Sequence, residues 1–372
     1  MNPDRLLRTF TQLVRIDSPS RYEGGMARCC AQKLEALGFE VRFDCSRAVT
    51  GSDTDQIIAF RKGAGRGRVA LSAHMDCVQP CEGIELRVED GVIRSAGDTI
   101  LSSDDKAGVA QILEAIESLD ESDSPAPDIW VLFSTCEELG CLGAGAYPDD
   151  LLPQGTLCLV MDADGPAGSI VVEAPWKWNF DAVFRGKSAH AGVDPEKGRS
   201  ALQMAARAIE LMPLGRHDEG TTSNIGTLEG GMARNVVAER CRLSGECRSL
   251  DEQKALELKD RIDGALEAGA RKFGGTVEID WHLQYPGFSF PEDDPDVRML
   301  MEAACGVGLQ PRLESTGGGS DANVLGEKGA RALCLGTGMT DFHTPAEHIS
   351  LADLQGAASL VEEVLAGSGR RS

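Results

Sequence analysis

Two histidines and several acids in this chain have the residue types and settings to hold a cation and move a proton. His74 and Asp76 form a His-x-Asp in LSAHMDC, and Asp104 and Asp105 open the segment DDKAG. Glu137 and Glu138 are adjacent in STCEELG, Asp162 and Asp164 alternate in VMDADG, and His343 lies in TGMTDFHTP. Imidazole and carboxylate are the ligands that zinc and its neighbours take, and a ligating histidine needs a further acceptor to hold its tautomer. Adjacent carboxylates such as Glu137 and Glu138 repel, and neither has a basic partner nearby in sequence. A cation would relieve one and leave the other free as a general base. Each feature alone is commonplace: an acid pair is often a solvated turn, and Asp-Asp-Lys is an ordinary helix start with dipole-friendly acids.

The elements that must position these residues can be read from the hydrophobic pattern. RVALSAH, IWVLFST, TLCLVMD and ALCLG are short continuous apolar runs, as expected of strands covered on both faces. The His-x-Asp, the Glu pair, the VMDADG acids and His343 each lie at or just beyond the end of such a run. In an open α/β sheet they would meet at its carboxyl edge. Helices are expected over 4–16, 23–37 and 105–119, and LRVEDGVIR reads as a hairpin bending at Asp-Gly. Near Pro175 the pattern changes. WKWNFDAVFRGKSAH alternates apolar and polar residues, and strand, helix, two strands, helix and strand follow in about 110 residues, a usual size for a domain. The expectation is an α/β catalytic domain with a mixed sheet, formed by 1–175 and 288–372, interrupted by an α+β domain at 176–287.

Bulk properties exclude some functions. The 372 residues include 59 acids against 37 bases, a formal charge of −22. That argues against nucleic acid or an anionic membrane as the main partner, because both require basic patches. No run approaches the ~18–20 apolar residues of a membrane span. The N-terminus reads as an amphipathic helix rather than a signal peptide. The 12 cysteines follow no disulfide-scaffold spacing and are expected to be reduced, consistent with a cytoplasmic protein.

HMDCVQP, SSDDKAG, TCEELG, VMDADG, GKSAHAG, GGMARNVV and FHTPAEHISL, in this order, resemble the M20 family of metallopeptidases, most closely its peptidase T-like (tripeptide aminopeptidase-like) branch. The resemblance covers nearly the whole chain. It implies a phosphorylase/hydrolase-like catalytic domain holding two zinc ions, with an inserted lid domain through which the chain forms a homodimer. His74 and Asp162 would hold one ion, Glu138 and His343 the other, and Asp104 would bridge them. Asp76 would orient His74, and Glu137 would be the general base. Asp164 is the alternative to Asp162. His190 of the lid would reach in from the partner subunit as a donor to the oxyanion. Asn235 and Arg248 match substrate-binding positions of the lid, though an ordinary salt bridge is equally open for Arg248. Gly318 and Gly319, in GGGSD, would bring backbone N–H groups to the substrate. Cobalt or manganese would suit the same ligands. The activity implied is exopeptidase cleavage of short peptides. A deacylase of N-acyl amino acids, a dipeptidase and a carboxypeptidase on the same fold are the alternatives. A two-metal phosphoesterase would want more basic residues than Lys106, and a non-catalytic metal-binding protein would not need Glu137.

Overall fold

The structure, a computed structural model, describes residues 1–370. The chain divides into two compact units. One comprises Met1–Val172, Phe290–Ser315 and the chain from Ser320 onward; the other comprises Glu173–Ser289 with Thr316–Gly319.

In the first unit the central sheet runs in the order Glu40–Phe43, Ile57–Arg61, Asp128–Ser134, Arg68–His74, Leu157–Ala163, Arg331–Gly336, Ser169–Ala174. The four strands from Asp128–Ser134 to Arg331–Gly336 are mutually parallel, and their neighbours on both sides are antiparallel. These four are the apolar runs of the sequence, and their residues are buried because helices cover both faces of a parallel sheet. Register sets the site. His74 pairs with Ser134 on one side, and Ser72 pairs with Val160 on the other. Two residues further along, Asp162 therefore stands beside His74, so three strand ends converge at one point.

Helix Ser103–Asp120 is buried over nearly its whole length. Gly108 explains how close it comes to the sheet: a Cβ there would lie 2.2 Å from the Met161 carbonyl oxygen. The Asp-Gly hairpin forms as expected, with Asp90 and Gly91 both at positive φ between Leu86–Glu89 and Val92–Ser95. It extends into a small sheet with His348–Ser350 and Met339–Thr340, the two strands that bracket the His343 loop. No helix among the described residues is long and apolar enough to cross a membrane.

The second unit is an antiparallel sheet in the order Gly215–Arg216, Thr221–Gly230, Arg240–Ser249, Trp176–Arg185, Thr276–Tyr285. Alternation along Trp176–Arg185 buries Phe180, Ala182 and Phe184 among side chains of helices Ala201–Leu211 and Glu252–Lys272. Both helices are capped at their N-termini, Ser200 accepting from the Gln203 N–H and Asp251 from the Lys254 N–H. Gly319 packs against the Tyr285 ring, where a Cβ would lie 2.2 Å from a ring carbon.

Candidate metal centre

His74 ends its strand buried, with its backbone N–H donating to Asp105 Oδ2 at 3.1 Å. Its Nδ1 donates to the Asp76 carbonyl oxygen at 2.9 Å, with Asp76 Oδ1 at 3.5 Å. That bond fixes the tautomer and turns Nε2 toward the acids. Nε2 lies 2.9 Å from Asp104 Oδ1 and 3.4 Å from Asp162 Oδ1. The other oxygen of Asp104, Oδ2, is 3.1 Å from His343 Nε2, which also meets Glu138 Oε2 at 2.9 Å. One carboxylate thus touches both histidines. Each histidine has its own second acid, Asp162 for His74 and Glu138 for His343.

The chain bends sharply to present these groups. Ser102, Cys136 and His343 all take left-handed backbone conformations, and the Asp104–Asp105 peptide is cis. Three buried carboxylates hold the bends. Glu347 accepts from the N–H groups of Leu101 (2.7 Å), Ser102 (2.8 Å) and Asp104 (3.0 Å) and from Ser103 Oγ (2.6 Å). Glu23 accepts from the Cys136 N–H at 3.0 Å. Asp76 accepts from the N–H groups of Glu137 (2.9 Å) and Glu138 (3.3 Å) and from Ser20 Oγ. Asp76 therefore acts on two parts of the site, holding His74 through its carbonyl and the glutamate turn through its carboxylate.

The cluster is electrostatically unfavourable without a cation. Asp76, Asp104, Asp105, Glu137, Glu138, Asp162 and Asp321 crowd together, and no Lys or Arg ion pair reaches any of them among the described residues. Lys106, adjacent in sequence, turns away to donate to the Ile16 carbonyl. Burial, with Asp162 and further neighbouring acids, pushes the Glu137 carboxyl well up, and burial with Asp104 and Asp321 brings Asp162 to about 7. Hydrogen bonds to Asp104 and Glu138 raise His343 to about 10. Asp104 alone is held low: burial opposes ionisation, but both histidines donate to it. Buried acids repelling one another around two imidazoles, whose raised affinity for protons marks a site that wants positive charge, fit divalent cations. By direct contact His74 meets Asp104 and Asp162, and His343 meets Asp104 and Glu138. Ligand atoms also fall within 4.8 Å of one another in two overlapping triads, His74–Asp104–Glu138 and His74–Asp105–Asp162.

The structure separates the two aspartates of VMDADG. Asp162 faces His74, whereas Asp164 falls beyond the strand and is exposed. Beside Glu138 a cavity of about 670 Å³ opens, lined by Asp17, Ser20, Tyr22, Gln79 and Glu82 among others.

Within the second unit, His190 is exposed, and its Nδ1 accepts from the Gly192 N–H at 3.2 Å. The proton of the neutral ring is then on Nε2, which makes it a donor. Asn235 is exposed beside it, its carbonyl accepting from the Ala191 N–H. Arg248 is already engaged, by both oxygens of Glu246 and by the Gly317 carbonyl at 3.1 Å. Gly318 donates its N–H to Thr316 Oγ1 at 3.0 Å.

Glu23, Glu347 and Asp321 were not anticipated from sequence. Only Asp321 had a local signal. The stretch S-D-A-N after the glycines is a capping box, Ser320 and Asn323 closing the N-terminus of helix Asp321–Glu327 and so fixing where Asp321 begins.

A family model described as peptidase family M20/M25/M40 matches residues 70–367. The chain belongs to this family. An aminopeptidase PepT from Bacillus cereus is 38% identical with a TM-score of 0.91, and each chain is covered in full. A tripeptidase from Staphylococcus aureus is 34% identical with a TM-score of 0.93, again over the whole of both chains. An acetylornithine deacetylase from Myxococcus xanthus is 27% identical over 93% of each chain. The fold is that of M20 peptidases, a mixed α/β sheet carrying the acidic centre, and the chain is a hydrolase of that family.

Proposed function

We propose that the protein is a zinc-dependent exopeptidase that removes residues from the amino end of short peptides, tripeptides foremost. One observation carries the metal part of this reading: the two oxygens of Asp104 each meet a different histidine. His74 and Asp162 would hold one ion, His343 and Glu138 the other, with Asp104 shared. When bound, the ions would polarise the scissile carbonyl and lower the pKa of the attacking water.

The chain's own residues supply the rest. Glu137, held by its N–H to Asp76, is placed to take a proton from the attacking water and return it to the leaving amine, work worth roughly 10²–10⁴ in rate. His190, with Nε2–H free to donate, would serve as the oxyanion donor reaching in from the partner subunit of a dimer. Asn235 is the other open polar group there. Arg248, tied to Glu246 and Gly317, would act chiefly by bracing the glycine segment, with Gly318 and Gly319 offering backbone to the substrate. Asp17 and Glu82 on the cavity wall suit the ammonium group of a peptide's first residue. Homodimerisation through the lid unit fits its sheet, where strand Thr221–Gly230 is covered only at its start, by Gly215–Arg216.

The names of the Bacillus and Staphylococcus relatives favour peptides as substrates. The likeness to a deacetylase keeps N-acyl amino acids as the second reading. Hydrolysis of di-, tri- and tetrapeptides and N-acetyl amino acids by the zinc-loaded protein separates them. Cleavage of tripeptides from the amino end supports the proposal, and turnover of acetylated amino acids alone overturns it in favour of deacylation.

A further inference from the structure

Around Glu137 three donors meet that neither candidate ligand group uses. Cys141 Sγ lies 3.2 Å from Glu137 Oε1, and ligand atoms of Cys141, Glu137 and Asp321 all fall within 4.8 Å of one another. Local backbone explains the first contact. The Cys141 N–H donates to the Glu137 carbonyl at 2.7 Å, so the two side chains share one tight turn. Asp321 arrives from the start of helix Asp321–Glu327 and is 1% exposed. Ser134 Oγ donates to its Oδ2, while Oδ1 is buried with no hydrogen-bond partner. Cys141 is 2% exposed. A buried acceptor without a donor is costly, and one such group beside a second carboxylate and a thiol calls for a cation.

We infer that Cys141, Glu137 and Asp321 form a third cation site, selective for thiophilic divalent ions such as cadmium or zinc in excess. One sulfur and two carboxylate ligands suit these ions, whereas magnesium and manganese prefer oxygen alone. On entry the metal bonds to sulfur and to carboxylate oxygen, and the thiol proton leaves to the buffer; no electron moves. The same event occupies the carboxylate of Glu137. The consequence for activity rests on the proposed role of Glu137 as base: zinc would activate at low concentration and inhibit once the third site fills.

The test uses the zinc-loaded full chain carrying C45S and C305S, which removes the two exposed cysteines. Cadmium is titrated while the cadmium–thiolate charge-transfer band is followed in the ultraviolet, with metal content measured after desalting. The histidine and carboxylate groups of the main centre cannot produce that band. One further equivalent per chain, with the band rising in step, is the expected result. Adding Cys141→Ser should abolish the band. Asp321→Asn, which keeps the thiol, should raise the concentration needed by about tenfold or more. A band accompanied by loss of peptidase activity supports both the site and its consequence. A band without inhibition leaves the site standing and removes Glu137 from the role of base. No band, or a band unchanged by both substitutions, overturns the site and leaves the base assignment untouched.

Discussion

Glu347 offers the sharpest test of how the centre is built. It is 1% exposed, and its two oxygens accept three backbone N–H bonds and one hydroxyl from residues 101–104. Burial pushes its carboxyl up, yet these donors favour the ionised form. Glu347→Ala would leave four buried donors with no acceptor. At about 1 kcal/mol each, the low end for an unmet buried group, the loss is about 4 kcal/mol in unfolding free energy. Asp104 would lose its anchor at the same time, and Asp104 meets both histidines. Weakening by about 10–100-fold is therefore expected for both ions, as for other groups that hold ligands in place. Urea unfolding of the metal-free protein and competition with a chromophoric chelator read the two effects separately. A variant within 0.5 kcal/mol of wild type, a margin of about the size seen at indifferent surface positions, with unchanged zinc affinity would refute the reasoning.

Two further outcomes follow from the site's geometry. Zinc uptake should release protons, because His343, raised to about 10, is charged at neutral pH and must give up its proton to bind. His74, whose burial is outweighed by its acid neighbours, is raised as well and must give up its proton too. Apparent affinity should then rise by at least about one log unit per pH unit above about pH 7, and more steeply below about 7, where Asp162 is also protonated. Calorimetry in buffers of different ionisation enthalpy measures this release, and a pH-independent affinity would contradict it. Asp162→Asn should lower zinc content and activity together, whereas Asp164→Asn, exposed and beyond the strand, should leave both at wild-type levels; elemental analysis of the two proteins decides between them.

What the sequence disclosed and what it hid follow a physical division. The four apolar runs were legible because strands of a parallel sheet are buried on both faces, and their ends locate the carboxyl edge without further information. His74, Asp104, Glu137, Glu138, Asp162 and His343 were visible because acids and histidines at the ends of apolar runs are conspicuous. Glu23 and Glu347 were not. Each sits in an irregular segment with no periodicity to mark it as buried, and its partners lie far away in sequence. Glu347 is 243 residues from the Asp104 it anchors. The engagement of Arg248 was within reach, since Glu246 lies two residues away on the same strand and therefore on the same face. The grouping of Thr316–Gly319 with the second unit was beyond sequence reasoning, because it depends on Gly319 packing against the Tyr285 ring.

The central claim is that Glu137 moves the proton at a centre whose ligands are other residues. Glu137→Gln keeps shape and hydrogen-bonding size but cannot accept that proton. The measurement is tripeptide hydrolysis by this variant beside wild type, with zinc counted in both proteins. The account predicts two zinc ions per chain in each and a fall in kcat of about 10²–10⁴ in the variant. Loss of zinc along with activity would place Glu137 among the ligands instead, and full activity would place the base elsewhere.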